Sequence, residues 1–360
     1  MNNRALIAMS GGVDSSVAAF LVKQRGYDCA GATMKLFTNE EIGVLGESRC
    51  CSLDDVEDAR SVANRLNIPY YVFNFSDNFR RDVIERFVDA YERGETPNPC
   101  IDCNRFLKFE KFFIRSCEME IDHIVTGHYA VIERDAASGR WLLKKGADEN
   151  KDQSYVLYSL SQRQLEHTLL PLGAMKKSEV REIAAANGFI NAKKSESQDI
   201  CFVPDGDYAS FIERYTGRAL EPGRFVDKAG HTVGEHKGFV KYTIGQRRGL
   251  GLSLREPLYV CAKCRADNTV VLGPQKELFS KSLEASGLNL IACREISSPL
   301  RVKAKVRYKQ KEQWATAEQT DEGRLCLVFD EPQRAVTPGQ AVVMYDGDIV
   351  VGGAVIESAK

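Results

Sequence analysis

The sequence has no long apolar run. No stretch reaches the roughly eighteen apolar residues that span a bilayer, so no membrane segment is expected. The opening Met1-Asn2-Asn3-Arg4 leads into an apolar run too short for a secretory leader, and the expected location is the cytoplasm. An excess of charge of one sign is also missing, since 49 basic and 50 acidic side chains leave a net charge of -1. That balance does not announce a nucleic-acid binder, although net charge averages over patches and the question has to be asked locally. A disulfide framework is not indicated either. The 11 cysteines are odd in number and scattered, which leaves some thiols for chemistry. What remains is a composition with 43% hydrophobic and 28% charged residues over 360 positions. This describes a soluble globular chain of two or three domains, each able to bury a core.

The most informative stretch is Ser10-Gly11-Gly12-Val13-Asp14-Ser15-Ser16. It follows a short apolar run ending at Met9, read as a strand, and precedes an apolar helical run from Val17. Strand, Ser/Gly turn and helix together make an anion site, because backbone N–H groups and the positive end of the helix dipole converge there. The two glycines allow a tight turn and close ligand approach. No Lys follows them, as a Walker A loop requires, and their spacing is not the dinucleotide fingerprint. The segment resembles the S-G-G-x-D-S pyrophosphate loop of ATP pyrophosphatases, which split ATP into AMP and pyrophosphate.

The flanking sequence suits that layout. A second strand is expected around Asp28 to Leu36, a helix from an N-cap at Ser52 to Leu66, and a third strand from Pro69 to Phe75. Alternating strands and helices imply a parallel sheet with ligands at its carboxyl edge. Met34, near that edge, suits either an adenine cover or the core. Cys50-Cys51 reads as structural. In Thr96-Pro97-Asn98-Pro99-Cys100-Ile101-Asp102-Cys103, Asn98 suits an N-cap and Pro99 the first helical position. Cys100 and Cys103 then share the first turn, where a helix N-terminus lowers a thiol's pKa; two core cysteines on an amphipathic helix are the alternative. Ile124-Val125-Thr126-Gly127-His128-Tyr129 reads as a strand ending in a turn at the same edge, and His128 taken alone suits a structural histidine.

From about Pro204 onward short strands and glycine turns predominate. Arg247 and Arg248 lie between glycines, which suits either a phosphate-backbone contact or a solvated turn. Cys261 and Cys264 have zinc-like spacing but sit in a strand-like run without a second pair, and read as structural. From Arg301 to Lys311 every odd position is basic. A strand would put these six cations on one face, a ridge suited to an RNA backbone, or else a guarded edge strand. The expected architecture is α/β: a doubly wound parallel sheet of ATP pyrophosphatase type in residues 1–204, a small β-rich central domain in 205–279 and a C-terminal β-barrel in 280–360.

The loop, TPNPCIDCNRFLKF, TGHYA, KDQSY, ESQDICF and YTIGQRRGLG follow one another in this order. Together they resemble the tRNA-specific 2-thiouridylase family, nearly end to end. The resemblance implies ATP-dependent replacement of the C2 oxygen of the wobble uridine by sulfur, in tRNAs for Lys, Glu and Gln. It implies ATP and Mg²⁺, and a sulfur-carrier protein or cysteine desulfurase as donor. It makes Cys201 the persulfide carrier and Cys103 the second catalytic cysteine. ATP contacts carry over to Ala8, Met9, Ser10, Gly11, Gly12, Val13, Asp14, Ser15, Met34 and Gly127. Target-base contacts fall on Asn98, Pro99 and Cys100. Contacts to tRNA fall on His128, Lys151, Asp152, Gln153, Arg307, Tyr308 and Gln340. Many members have Asp where this chain has Cys100, which removes a carboxylate and offers Cys100, Cys103 and Cys201 as ligands for a [4Fe–4S] cluster, beside the persulfide route. Two rivals stand against this reading: an amide-forming ATP pyrophosphatase and a non-catalytic RNA-binding protein.

Overall fold

The structure is a computed structural model describing residues 3–38, 53–194, 200–253, 256–320 and 323–360. Cys50, Cys51, the expected cap Ser52, residue 195 and residues 196–199 of the ESQDICF motif lie outside the described residues.

The first sheet is wholly parallel. Its strands β1 (Arg4–Ala8), β2 (Asp28–Lys35), β3 (Tyr70–Asn74), β4 (His123–Val125) and β7 (Thr168–Leu169) lie in the order β3-β2-β1-β4-β7. Helix α1 (Val13–Gln24) follows β1, and α2 (Leu53–Arg65) lies between β2 and β3. β1 sits between β2 and β4, so the strand order reverses there and a crevice opens at the carboxyl ends of β1 and β4. Apolar residues cover both faces: Ile7, Val17 and Val62 belong to the core on one, Leu6, Phe87 and Phe112 to the core on the other.

The central unit starts differently from the expectation of strands directly after Pro204. A helix, Tyr208–Thr216, comes first, capped by the Asp207 side chain on the Ser210 N–H and ended by Gly217 at φ +66°. Four strands follow, β8 (Gly223–Val226), β9 (Thr232–His236), β10 (Tyr259–Cys264) and β11 (Thr269–Gly273), in the order β10-β11-β8-β9.

The C-terminal barrel is built from β12 (Phe279–Leu290), β13 (Leu300–Lys305), β14 (Gln313–Gln319), β15 (Leu325–Arg334), β16 (Ala341–Asp346) and β17 (Ile349–Ala359). Pairing of β12 with both β15 and β17 closes these strands on themselves, which removes their edges. A hairpin from the N-terminal part, β5 (Ala130–Arg134) and β6 (Trp141–Lys145), extends the same sheet beyond β17. The N-terminal part and the barrel are therefore joined through one sheet. Tyr155 adds to the join by donating its buried hydroxyl to the Ala341 carbonyl at 2.7 Å.

The basic stripe is only partly realised. β13 ends at Lys305, and the next residues turn, so the period of two stops after Arg301, Lys303 and Lys305. Arg301 is ion-paired to Asp330 and Lys305 lies near Glu312. Arg307 instead donates to the Arg334 and Ala335 carbonyls at 2.8 and 2.6 Å. The expectation of six cations on one strand face is overturned, because Tyr308 leaves the strand to bond the N-terminal part.

Phe87 is fully buried among Tyr91, Phe202, Tyr208 and Phe211. Phe87→Ala should lower stability by about 3–5 kcal/mol, read as a shift of the denaturant midpoint. A shift below about 1 kcal/mol would show that the cluster does not hold the segment next to Cys201.

Candidate active site

The glycine loop lies at the carboxyl end of β1, over the switch point. Gly11 has φ +73°, a conformation that glycine adopts without a steric penalty. Ser15 Oγ ties the turn by donating to the Gly12 carbonyl at 3.0 Å and accepting from the Ser10 N–H at 3.2 Å. Gly12 caps α1 with no side-chain hydrogen bond, so the first N–H groups of the helix keep the opening over the loop. An anion fits this arrangement. Ala8 and Met9 contribute only backbone here, because both side chains are buried. The Met9 backbone is itself engaged, donating to Ala32 and accepting from Thr33. Met34 is half-buried and packs against the core below the loop.

Asp14 carries a pairing that sequence reading missed. Lys177 donates to its two carboxylate oxygens at 2.6 and 2.8 Å, and the Tyr129 hydroxyl donates at 2.7 Å. Lys177 is buried, at the start of the helix Lys177–Ala186, with its ammonium 5.7 Å from the Tyr129 ring centre. The only trace in the sequence is an ordinary Lys in an amphipathic helix, 163 residues from its partner.

The loop after β4 packs directly against the start of α1. A Cβ on Gly127 would come within 2.8 Å of the Asp14 carbonyl carbon and 2.9 Å of the Ser15 nitrogen. His128 follows, buried, its Nδ1 2.7 Å from Thr126 Oγ1 and its ring 5.7 Å from Phe109. Burial first, and the Lys108 ammonium second, hold its pKa well below the usual imidazole value.

Asn98 caps the turn Pro99–Asp102 by accepting from the Cys100 N–H at 3.2 Å, with Pro99 in the first turn, as the residue types indicated. Cys103 then opens a π-helical segment, Cys103–Lys111, a geometry frequent at functional sites. Cys100 is exposed and Cys103 buried. The expectation of a lowered thiol pKa at this helix start is not met at Cys103. Desolvation pushes its thiol up to about 11, against a smaller pull from Lys108. The dipole of one short turn does not offset that burial. Asp102, beside Arg86 at 3.5 Å, is also raised by burial.

Cys201 is half-buried against the same core cluster that contains Cys103 and Phe202. Among the described residues no three His, Cys, Asp or Glu side chains are grouped to hold a metal. Cys100, Cys103 and Cys201 therefore do not form a ligand set in this conformation, and no step below is routed through a cluster.

Of the residues carried over as tRNA contacts, Asp152, Tyr308 and Gln340 make bonds across the seam between the N-terminal part and the barrel, whereas His128 is buried against Phe109 and Arg307 bonds within the barrel. The Asp152 carboxylate accepts from the Gly146 N–H and from the Ser154 N–H and hydroxyl, and its carbonyl accepts from the Tyr308 hydroxyl at 2.9 Å. Gln153 accepts from the Tyr129 N–H at 3.0 Å. Gln340 donates to the Thr96 carbonyl at 2.6 Å, just before Asn98. Tyr308 lies within electrostatic reach of Cys100, and Lys151, half-buried, precedes Asp152 at the same seam.

A phosphate cradle at the switch point of a parallel sheet places the chain among the ATP pyrophosphatases of the glycine-loop class. Residues 3–205 match the family model described as the tRNA methyl transferase HUP domain. Residues 209–274 match a tRNA methyl transferase PRC-barrel domain and 280–356 an aminomethyltransferase beta-barrel domain. The tRNA-specific 2-thiouridylase MnmA of Clostridioides difficile is 50% identical over 100% of this chain and 99% of its own length. That of Acetivibrio thermocellus is 51% identical over 98% and 99%. The chain belongs to the tRNA-specific 2-thiouridylase family.

The depressed pKa of His128 has a consequence for stability. The imidazole is neutral when folded and takes up a proton when unfolded below about pH 6.5. Its contribution is thus complete above pH 6.5 and is lost as pH falls below that value. Denaturant midpoints of the wild type should drop from pH 7 to pH 5 more steeply than those of His128→Gln; equal slopes would contradict the assignment.

Proposed function

We propose that this chain is an ATP-dependent tRNA 2-thiouridylase, with residues 1–204 as the catalytic unit, 205–279 as a small central domain and 280–360 as the tRNA-binding barrel. The carrying observation is the run of contacts from the phosphate cradle through Gly127 and His128 to Phe109 and Lys108, on the segment that begins with Cys103. A methyl transferase, as the family model's description words it, needs neither a triphosphate cradle nor a second, distant cysteine.

In the first step the C2 oxygen of the wobble uridine, in tRNAs for Lys, Glu and Gln, attacks the α-phosphorus of ATP and pyrophosphate leaves. Adenylation turns a poor leaving group into AMP. Backbone donors of Gly11, Gly12, Val13, Asp14 and Ser15, with the Ser10 hydroxyl, hold the departing pyrophosphate, while Met34 and Gly127 border the nucleoside. Mg²⁺ takes most of its ligands from phosphate and water, and Asp14 is the carboxylate at the loop able to join them. Lys177, bonded to Asp14, is the cation that steadies charge there.

In the second step Cys201 holds a persulfide received from a sulfur-carrier protein or cysteine desulfurase. The Cys103 thiolate attacks the sulfur bonded to the Cys201 carbon, forming a Cys103–Cys201 disulfide and expelling hydrosulfide. Hydrosulfide adds at C2 and AMP departs; a thiol reductant then restores both cysteines. Asn98, Pro99 and Cys100 face the base, and His128, Lys151, Asp152, Gln153, Arg307, Tyr308 and Gln340 form the RNA-facing seam. A tRNA substrate places this work in the cytoplasm. Among the described residues, no helix is long and apolar enough to cross a membrane.

Cys103→Ser should abolish 2-thiouridine formation yet keep tRNA-dependent pyrophosphate release. Lys177→Met should cut that release by about a hundredfold. An amide-forming synthetase would be indifferent to the first change, and a non-catalytic RNA binder would release no pyrophosphate at all.

A further inference from the structure

The phosphate loop is braced by a segment to which the mechanism above gives no role. Asn191 is buried, and its amide nitrogen donates to the Gly11 carbonyl at 2.9 Å and to Ser16 Oγ at 2.8 Å. Its Oδ1 is buried without a partner, so the side chain is held by its donor bonds alone. Three residues on, the Lys194 ammonium bonds Asp55 Oδ1 and Asp58 Oδ2, both at 2.6 Å. These carboxylates stand in the first turns of α2, and the Asp55 backbone closes over Gly11 so tightly that a Cβ there would strike its carbonyl oxygen.

Each contact has a direct electrostatic meaning. In a trans peptide the carbonyl and the following N–H point opposite ways. Fixing the Gly11 carbonyl on Asn191 therefore aims the Gly12 N–H away from Asn191. Lys194 neutralises two carboxylates, one of them buried, that would otherwise repel a polyphosphate seated beside them.

We propose that Asn191 and Lys194 are positioning residues of the nucleotide site, the first orienting the anion-binding peptide of the loop and the second cancelling the negative charge of Asp55 and Asp58 beside it. The identity of the nucleotide rests on the function proposed above. A chain that binds ATP but forms no 2-thiouridine would sink that reading and leave this one standing.

The test is titration of the full chain with ATP and, separately, with inorganic pyrophosphate, with tRNA binding as the control. Asn191→Ala should weaken both anions by about tenfold, and Asn191→Asp, which sets an acceptor against the Gly11 carbonyl, by more. Affinity for tRNA should stay within about twofold of the wild type. Lys194→Met should weaken ATP binding, and adding Asp55→Asn with Asp58→Asn should restore it. Wild-type affinity for ATP and pyrophosphate in Asn191→Ala, or a triple variant no better than Lys194→Met, would overturn the proposal. Should the Asn191 variants fail to fold, the Lys194 series decides alone, because removing carboxylates rescues a charge role and does nothing for a packing one.

Discussion

The arrangement depends on the closeness of two loops at the switch point of the parallel sheet. Gly127 lies so near the first turn of α1 that no side chain fits between them. Because of that approach, the chain after β4 leaves the sheet directly beside the phosphate site, and His128 and Tyr129 arrive with it. Tyr129 bonds Asp14 on one side, while His128 packs on Phe109 on the other. A residue with a Cβ at 127 would push the two loops apart. This is a packing constraint: the loop after β4 lies against the phosphate cradle only because residue 127 lacks a side chain.

The second theme is burial. Cys103, His128 and Asp102 all have pKa values moved toward their neutral forms by desolvation. A dry site suits a reaction in which water competes with sulfur for an activated carbon. It also means that the Cys103 thiol is not a standing nucleophile. Lys108 is the group that pulls it toward the thiolate, and the same ammonium helps keep His128 neutral. One cation thus acts in the same sense on both groups, favouring thiolate and neutral imidazole.

Much of this was legible in the residues. The strand, glycine turn and helix were readable because backbone geometry there is set locally by Gly11 and Gly12, and Asn98-Pro99 because an N-cap and a first-turn proline are local signals. Lys177 was not readable, since its partner Asp14 is brought to it only by the sheet. The basic stripe misled for a related reason. Alternation of charge predicts a strand face only while the strand continues, and β13 stops at Lys305 because Arg307 and Tyr308 find partners elsewhere. The helix Tyr208–Thr216 carries local end signals, the Asp207 cap and Gly217, in a stretch otherwise made of short strands. The joining of β5 and β6 to the barrel leaves no local mark, since a hairpin sequence does not name the strand beside it.

The seam between the N-terminal part and the barrel bears on how RNA could be sensed. Asp152, Tyr308 and Gln340 are bonded within the chain, and their bonds cross from one unit to the other. Gln340 ends on the Thr96 carbonyl, two residues before the cap of the cysteine turn, and the Thr96 N–H in turn donates to the Pro338 carbonyl at 2.9 Å. An RNA that competes for these groups exchanges one set of hydrogen bonds for another, a swap of small net energy. The barrel and the turn carrying Asn98, Pro99 and Cys100 are thus linked through the same few bonds.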